Sequence, residues 1–100
     1  MFRTLHFEDF EKLVGGAFTI CDAEGAPRIA LTLSEATPLS AHHGVEGVRP
    51  PFSLIFLGPG DVILPQNLYQ LQHDALGAIT ILLVPVGRDA QGVSYQSLFN

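Results

Sequence analysis

The sequence has few of the residues that mark several common protein classes. Cysteine occurs once, at Cys21, and the chain has no tryptophan and one methionine. A single cysteine excludes an internal disulfide, and a lone thiol in a strand is typically a small hydrophobic residue rather than a nucleophile. Charged residues make up only 15% of the chain, whereas ~25% is typical of globular proteins.

Basic residues are the scarcest charged class. The chain has five Lys and Arg against ten Asp and Glu, which gives a net charge of −5. The five are far apart in the sequence: Arg3, Lys12, Arg28, Arg49 and Arg88. Nucleic acids and anionic membrane surfaces both require a cationic patch, so we expect neither as a partner.

Long hydrophobic runs are also missing. The longest apolar stretch, Ala78 to Val86, has the length of a strand and is far shorter than the ~18 residues of a transmembrane helix. The first residues, Met1 to Glu11, mix charged and apolar side chains and show no secretory signal. We therefore expect no membrane insertion and a cytoplasmic location by default.

The chain has a high proportion of hydrophobic residues for its small size. Hydrophobic residues account for 47% of 100 residues, and this length predicts a single domain, 1–100, with one core. A small domain with few charges has little polar surface to cover its apolar groups. We expect the apolar side chains that the core cannot bury to be covered by a protein partner.

The residue pattern predicts a mainly β domain with one short N-terminal helix. Phe7, Phe10, Leu13 and Val14 recur at helical spacing before Gly15. Period-two alternation and turn residues then divide the rest of the chain into six strands. We expect the helix at about 7–14 and the strands at about 17–22, 28–36, 52–57, 68–73, 78–86 and 92–99. Strands joined mainly by hairpins form an antiparallel meander, here a curled sheet or small barrel.

The histidines are the weak candidates for a metal site. His42 and His43 lie in a loop rich in proline and glycine, with Glu46 close by, and His6 or His73 could complete a ligand set. Adjacent loop histidines are usually just solvated, so we expect no native metal. His73 itself is expected to be a packed histidine with a backbone partner.

No catalytic residues or cofactor site are predicted. Ser40, His42 and Asp61 are the residue types of a hydrolytic triad, but no nucleophile elbow surrounds the serine. The segment Gly58-Pro59-Gly60 is too short for a phosphate-binding loop and has no following lysine, so it indicates a turn.

The second half of the chain resembles a family of small bacterial domains of about this length and of unknown function. The similarity rests on a series of prolines, glycines and apolar strand residues: Pro51-Phe52-Ser53-Leu54, Gly58-Pro59, Leu64-Pro65-Gln66, Tyr69, Leu71, His73, Leu76-Gly77, Leu83-Val84-Pro85-Val86-Gly87, Tyr95 and Phe99-Asn100. Members of that family often sit among genes for phage tail fibres or collars. The resemblance implies an accessory module and assigns no activity or binding residue.

Three classes of function follow. The first is a non-catalytic assembly module that self-associates, because the strand 52–57 is apolar on both faces and a monomer has one core; the interface candidates are Ile55 and Leu57. The second is a small-molecule-binding barrel with a cavity lined by Phe52, Phe56, Tyr69 and Tyr95. A hydrolytic enzyme is the third and least favoured.

Overall fold

A computed structural model describes residues 5–39 and 51–99 of the chain. The described residues form one helix and six antiparallel strands that close into a barrel in the order β1-β2-β3-β6-β5-β4. The elements are α1 (Phe7–Glu11), β1 (Ala17–Cys21), β2 (Pro27–Pro38), β3 (Phe52–Gly58), β4 (Asn67–His73), β5 (Gly77–Asp89) and β6 (Gly92–Phe99). The predicted fold, a mainly β chain with a short N-terminal helix and a small antiparallel barrel, is confirmed.

The barrel is built from two three-stranded meanders. Strands β1, β2 and β3 pair in sequence order, as do β4, β5 and β6. The pairings β3–β6 and β1–β4 then join the two halves, the second through only three residue pairs. Every described strand therefore has a neighbour on each side, although residues 67–69 of β4 have no partner on β1. We call its two ends the helix end, where β3 begins, and the loop end, where β3 finishes.

Helix α1 covers the helix end with an aromatic cluster. Phe10 is fully buried, and its ring centroid lies 6.4 Å from Phe18, 5.8 Å from Phe52 and 5.5 Å from Phe99. Such pairs contribute beyond the apolar area that they bury. The helix ends at Glu11, before the predicted end at 14, because a turn follows and Gly15 adopts a φ of +94°.

Alternation along the strands fills the barrel with apolar side chains. The fully or almost fully buried residues come from α1 and from all six strands: Phe10, Phe18, Ile20, Leu31, Leu33, Phe52, Leu54, Phe56, Leu71, Ile79, Ile81, Leu83, Val93 and Tyr95. A barrel of about eight strands is just wide enough for side chains to fill it. Six strands enclose less space, so these side chains occupy the interior.

The pairing of the described strands is irregular at three places, and one of them lies between Ile20 and Cys21 in the β1–β2 pair. The β2–β3 register shifts between Leu33 and Glu35, and the Ser34 hydroxyl in the gap donates a 3.1 Å hydrogen bond to the carbonyl of Ile55. The β5–β6 register shifts between Pro85 and Gly87. Proline cannot donate to a strand ladder and is found beside such bulges.

The β1–β2 turn is organised by Asp22. Its carboxylate accepts backbone hydrogen bonds from Ala26 at 2.9 Å and Glu24 at 3.0 Å, and it pairs with Arg28 at 2.8 Å. The Ala26 hydrogen bond, followed by the contact with Arg28, lowers the pKa of Asp22 below its ordinary 3.8. This turn conformation is the one that Asp and Asn side chains typically stabilise.

The segment 59–66 closes the loop end and is tied to the barrel by three hydrogen bonds. The backbone N–H of Leu64 donates to the buried Tyr95 hydroxyl at 3.0 Å, and the Tyr69 hydroxyl donates to the carbonyl of Pro65 at 2.6 Å. The Arg88 guanidinium donates to the carbonyl of Gly60. Within 5–39 and 51–99, no helix has the length and hydropathy needed to cross a membrane.

Candidate interaction surface

The outer face of four adjacent strands, β3, β6, β5 and β4, carries no charged side chain over almost its whole length. The sequences 52–58, 67–73, 77–87 and 92–99 contain no Asp, Glu, Lys or Arg, and the charges of β5 are confined to its last residues, Arg88 and Asp89. We call this face the neutral wall. Interface cores between proteins show the same depletion of charge.

A row of leucines crosses the neutral wall from β6 to β4. Leu68 of β4 lies directly opposite Leu82 of β5 in the strand register. In β6, Leu98 follows Gln96 by two residues, and Gln96 lies opposite Val84. Antiparallel pairing therefore places Leu98 and Leu82 on neighbouring strands and on the same face. The exposed fractions of Leu68, Leu82 and Leu98 are 62%, 42% and 55%.

A second row, one step toward the loop end, is mostly apolar and less exposed. Gln96 of β6 lies between Ile55 of β3 and Val84 of β5 in the register, and all three are half-buried. Leu57, also half-buried, follows on β3. The two predicted interface residues, Ile55 and Leu57, thus point outward on the neutral wall, while the inward residues of β3 are buried.

The charged residues of the described part lie mainly at the two ends of the barrel. The helix end holds Glu8, Asp9, Glu11, Lys12 and Asp74, the loop end holds Asp22, Glu24, Arg28, Asp61, Arg88 and Asp89, and Glu35 lies on β2 outside the neutral wall. Both ends carry more acidic than basic residues. Among the residues of 5–39 and 51–99, the barrel therefore presents a neutral, partly apolar side between two ends that carry more acidic than basic residues.

The residues suggested for a ligand cavity belong to the core. Phe52, Phe56 and Tyr95 are at most 1% exposed, and the Phe52 ring stacks on Phe99 with centroids 4.6 Å apart. Tyr69 is half-buried beside the segment 59–66. Burial raises the pKa of Tyr69. These four side chains hold the barrel together.

The histidine candidates do not form a site in the described residues. His42 and His43 lie outside the residues that the structure describes, as does Ser40. Within the described ranges, no three His, Cys, Asp or Glu residues are grouped as metal ligands. The expected packing of His73 is confirmed: its ring lies 4.5 Å from Phe18, and its Nδ1 accepts a 2.9 Å hydrogen bond from the backbone N–H of Ala75.

The leucine row is the part of the surface that sequence reasoning missed. Leu82 lies between the inward-facing Ile81 and Leu83 and therefore faces outward. Leu98 also lies on the outward face of its strand, β6. The sequence signal for this patch is a leucine at an outward-facing position of a strand whose other residues alternate between inward apolar and outward polar side chains. The dense apolar run 78–86 obscured it, because such a run also suits a strand that is buried on both faces.

Comparison with known proteins gives a family and no activity. No curated protein and no solved structure matches the chain. A family model described as "Domain of unknown function (DUF6916)" matches residues 5–99. The match covers nearly the whole length, including α1 and all six strands. The chain therefore belongs to the DUF6916 family of domains of unknown function.

Proposed function

We propose that this protein is a non-catalytic interaction module that self-associates through the neutral wall. The observation that carries the proposal is the leucine row, three leucines that are 42–62% exposed on adjacent strands with no charged residue among them. Contiguous apolar patches on protein surfaces are often functional, and we take this one as the site of contact. Fully burying an exposed leucine is worth roughly 1.5–3 kcal/mol, so covering the exposed half of each of these side chains contributes about 1 kcal/mol before the cost of association is met.

A second copy of the chain is the occupant that the charge distribution favours. Two molecules of net charge −5 repel each other wherever their acidic ends approach, and only the sides of the barrels can meet without like charges. The neutral wall is complementary to itself, since it contains apolar side chains and uncharged groups that both donate and accept hydrogen bonds. A strongly charged partner finds no counter-charge there.

Substitution on the leucine row tests the proposal. Leu82→Lys places a charge in the centre of the proposed interface, where it stays hydrated only in the monomer. We expect the dissociation constant to rise by about 10- to 100-fold, because the leucine contact is lost and the charge is desolvated on association. The matched control is Ala30→Lys, since Ala30 is an exposed residue of β2, the strand opposite β5 in the barrel order. Sedimentation velocity over a concentration series measures both variants.

Equal effects of the two lysines on association would refute the neutral wall as the interface. The small-molecule-binding alternative draws no support from the arrangement of the described residues, because the side chains proposed to line a cavity are packed in the core. An accessory role in a larger assembly, such as the phage-tail context that the family resemblance implies, remains a prediction. Bacterial origin and a cytoplasmic location are likewise predictions from the sequence.

A further inference from the structure

Gln96 is the long polar side chain in the second row of the neutral wall, between Ile55 and Val84 on the neighbouring strands. Leu98 follows two residues later on β6. The side chain is half-buried in the described structure. Any partner that covers these apolar neighbours must also cover the Gln96 amide.

Only one end of that amide is bonded within the described residues. Its Nε2 donates to the Ser53 hydroxyl at 3.4 Å, and among the described residues no group bonds the other end. Water satisfies it while the wall is exposed. Once a partner removes the water, an unpaired amide group costs about 1–3 kcal/mol unless the partner supplies a hydrogen bond.

We infer that Gln96 determines the register of the self-association, by pairing with Gln96 of a second copy across a two-fold axis. This inference rests on the proposed function and adds the arrangement of the two copies. A primary amide is its own complement, because the N–H of each can donate to the C=O of the other. Two-fold symmetry brings identical residues together at the axis, so an amide flanked by apolar side chains is satisfied in that arrangement.

The amide favours this register over displaced ones. A shift of one copy across the strands moves each amide onto Ile55 or Val84, and a shift along β6 toward Leu98 also places it on an apolar side chain, so in these registers each amide loses its partner. Buried polar groups in coiled coils select one alignment on the same grounds, at some cost in affinity. Gln96 is therefore a specificity-determining residue of the proposed interface, and the leucine row provides the affinity.

A charge-swap pair tests whether residue 96 faces itself. Gln96→Glu and Gln96→Lys each place like charges at the axis, so we expect each variant alone to associate at least ~100-fold more weakly than the parent. An equimolar mixture should recover the parent's association, because Glu and Lys then face each other. Ala30 provides the control: it is an exposed residue of β2, opposite Thr19 of β1 and outside the neutral wall, and Ala30→Glu and Ala30→Lys should leave association unchanged, alone or mixed.

Sedimentation equilibrium of the parent, the single variants and the mixtures separates the outcomes. Recovery in the Gln96 mixture supports the inference. A parent that associates while the mixture stays monomeric, or while the single variants still associate, overturns the inference and leaves the proposed function standing. A monomeric parent overturns both. Circular dichroism checks that each variant is folded. If the lysine variant fails to fold, Gln96→Glu alone serves as the test: its association should recover at low pH, because protonation removes the like charges at the axis.

Discussion

At the scale of single residues, two glycines allow β3 and β6 to meet at the loop end. A Cβ on Gly92 would lie 2.1 Å from the carbonyl oxygen of Gly58, and Gly92 has a φ of +138°. A Cβ on Gly58 would lie 2.8 Å from a Leu31 methyl group and 3.2 Å from the Tyr95 ring. Backbone approach and core packing thus both require glycine here, for different reasons.

Gly92→Ala should destabilise the fold by about 2–4 kcal/mol, because the new methyl group meets backbone that cannot rotate away and the φ angle disfavours alanine. Gly87→Ala is the matched control on the partner strand β5, where a Cβ meets nothing within 4 Å and no positive φ is present. Thermal unfolding at matched protein concentration compares the two, since association itself shifts Tm. Equal Tm values for the two variants would show that the close approach of β3 and β6 is not required.

At the scale of elements, the segment 59–66 shows how an irregular stretch can be fixed by one buried group. Tyr95 is only 1% exposed, and its hydroxyl accepts the N–H of Leu64, whose side chain packs against the core. Val62 and Ile63, which precede Leu64 in the segment, are 40% and 52% exposed. The hydrogen bond therefore fixes one point of a segment that is otherwise partly solvated.

Tyr95→Phe removes the acceptor and leaves the Leu64 N–H without its partner, which should cost about 1–3 kcal/mol. Tyr69→Phe also removes a hydroxyl from this segment, but the Pro65 carbonyl that it leaves is solvent-accessible and water replaces the donor, so the loss should be smaller. Hydrogen exchange of the Leu64 amide, together with the Tm of each variant, measures the difference. Unchanged protection of Leu64 in Tyr95→Phe would contradict this account.

Element positions were largely readable from the sequence, while their extents were less so. Strands β3, β4 and β6 lie between clear turn residues, and the predictions for them differ from the structure by a residue at most. Strand β5 continues to Asp89, beyond the predicted end at 86. A bulge after Pro85 shifts the register with β6 by one residue, and pairing resumes at Gly87. Gly87 suggested a turn there, and only the register with β6 shows that the strand continues.

At the scale of the whole molecule, closure of the barrel could not be read from the sequence in detail. Alternation identifies which side chains point inward, but it does not say that β6 pairs with β3 or that β4 pairs with β1 through three residue pairs. Those pairings decide which outward residues become neighbours. Ile55 and Leu57 were predicted as the interface from one strand, whereas the leucine row exists only because β4, β5 and β6 are adjacent.

The molar mass of the unmodified protein tests the central claim most directly. Multi-angle light scattering at micromolar concentration should give a mass well above the 10.8 kDa of one chain. That mass should hold or increase as salt is added, because the contact is apolar and salt screens the repulsion between acidic ends. A monodisperse monomer across the concentration series, or an assembly that salt dissociates, would contradict self-association through the neutral wall.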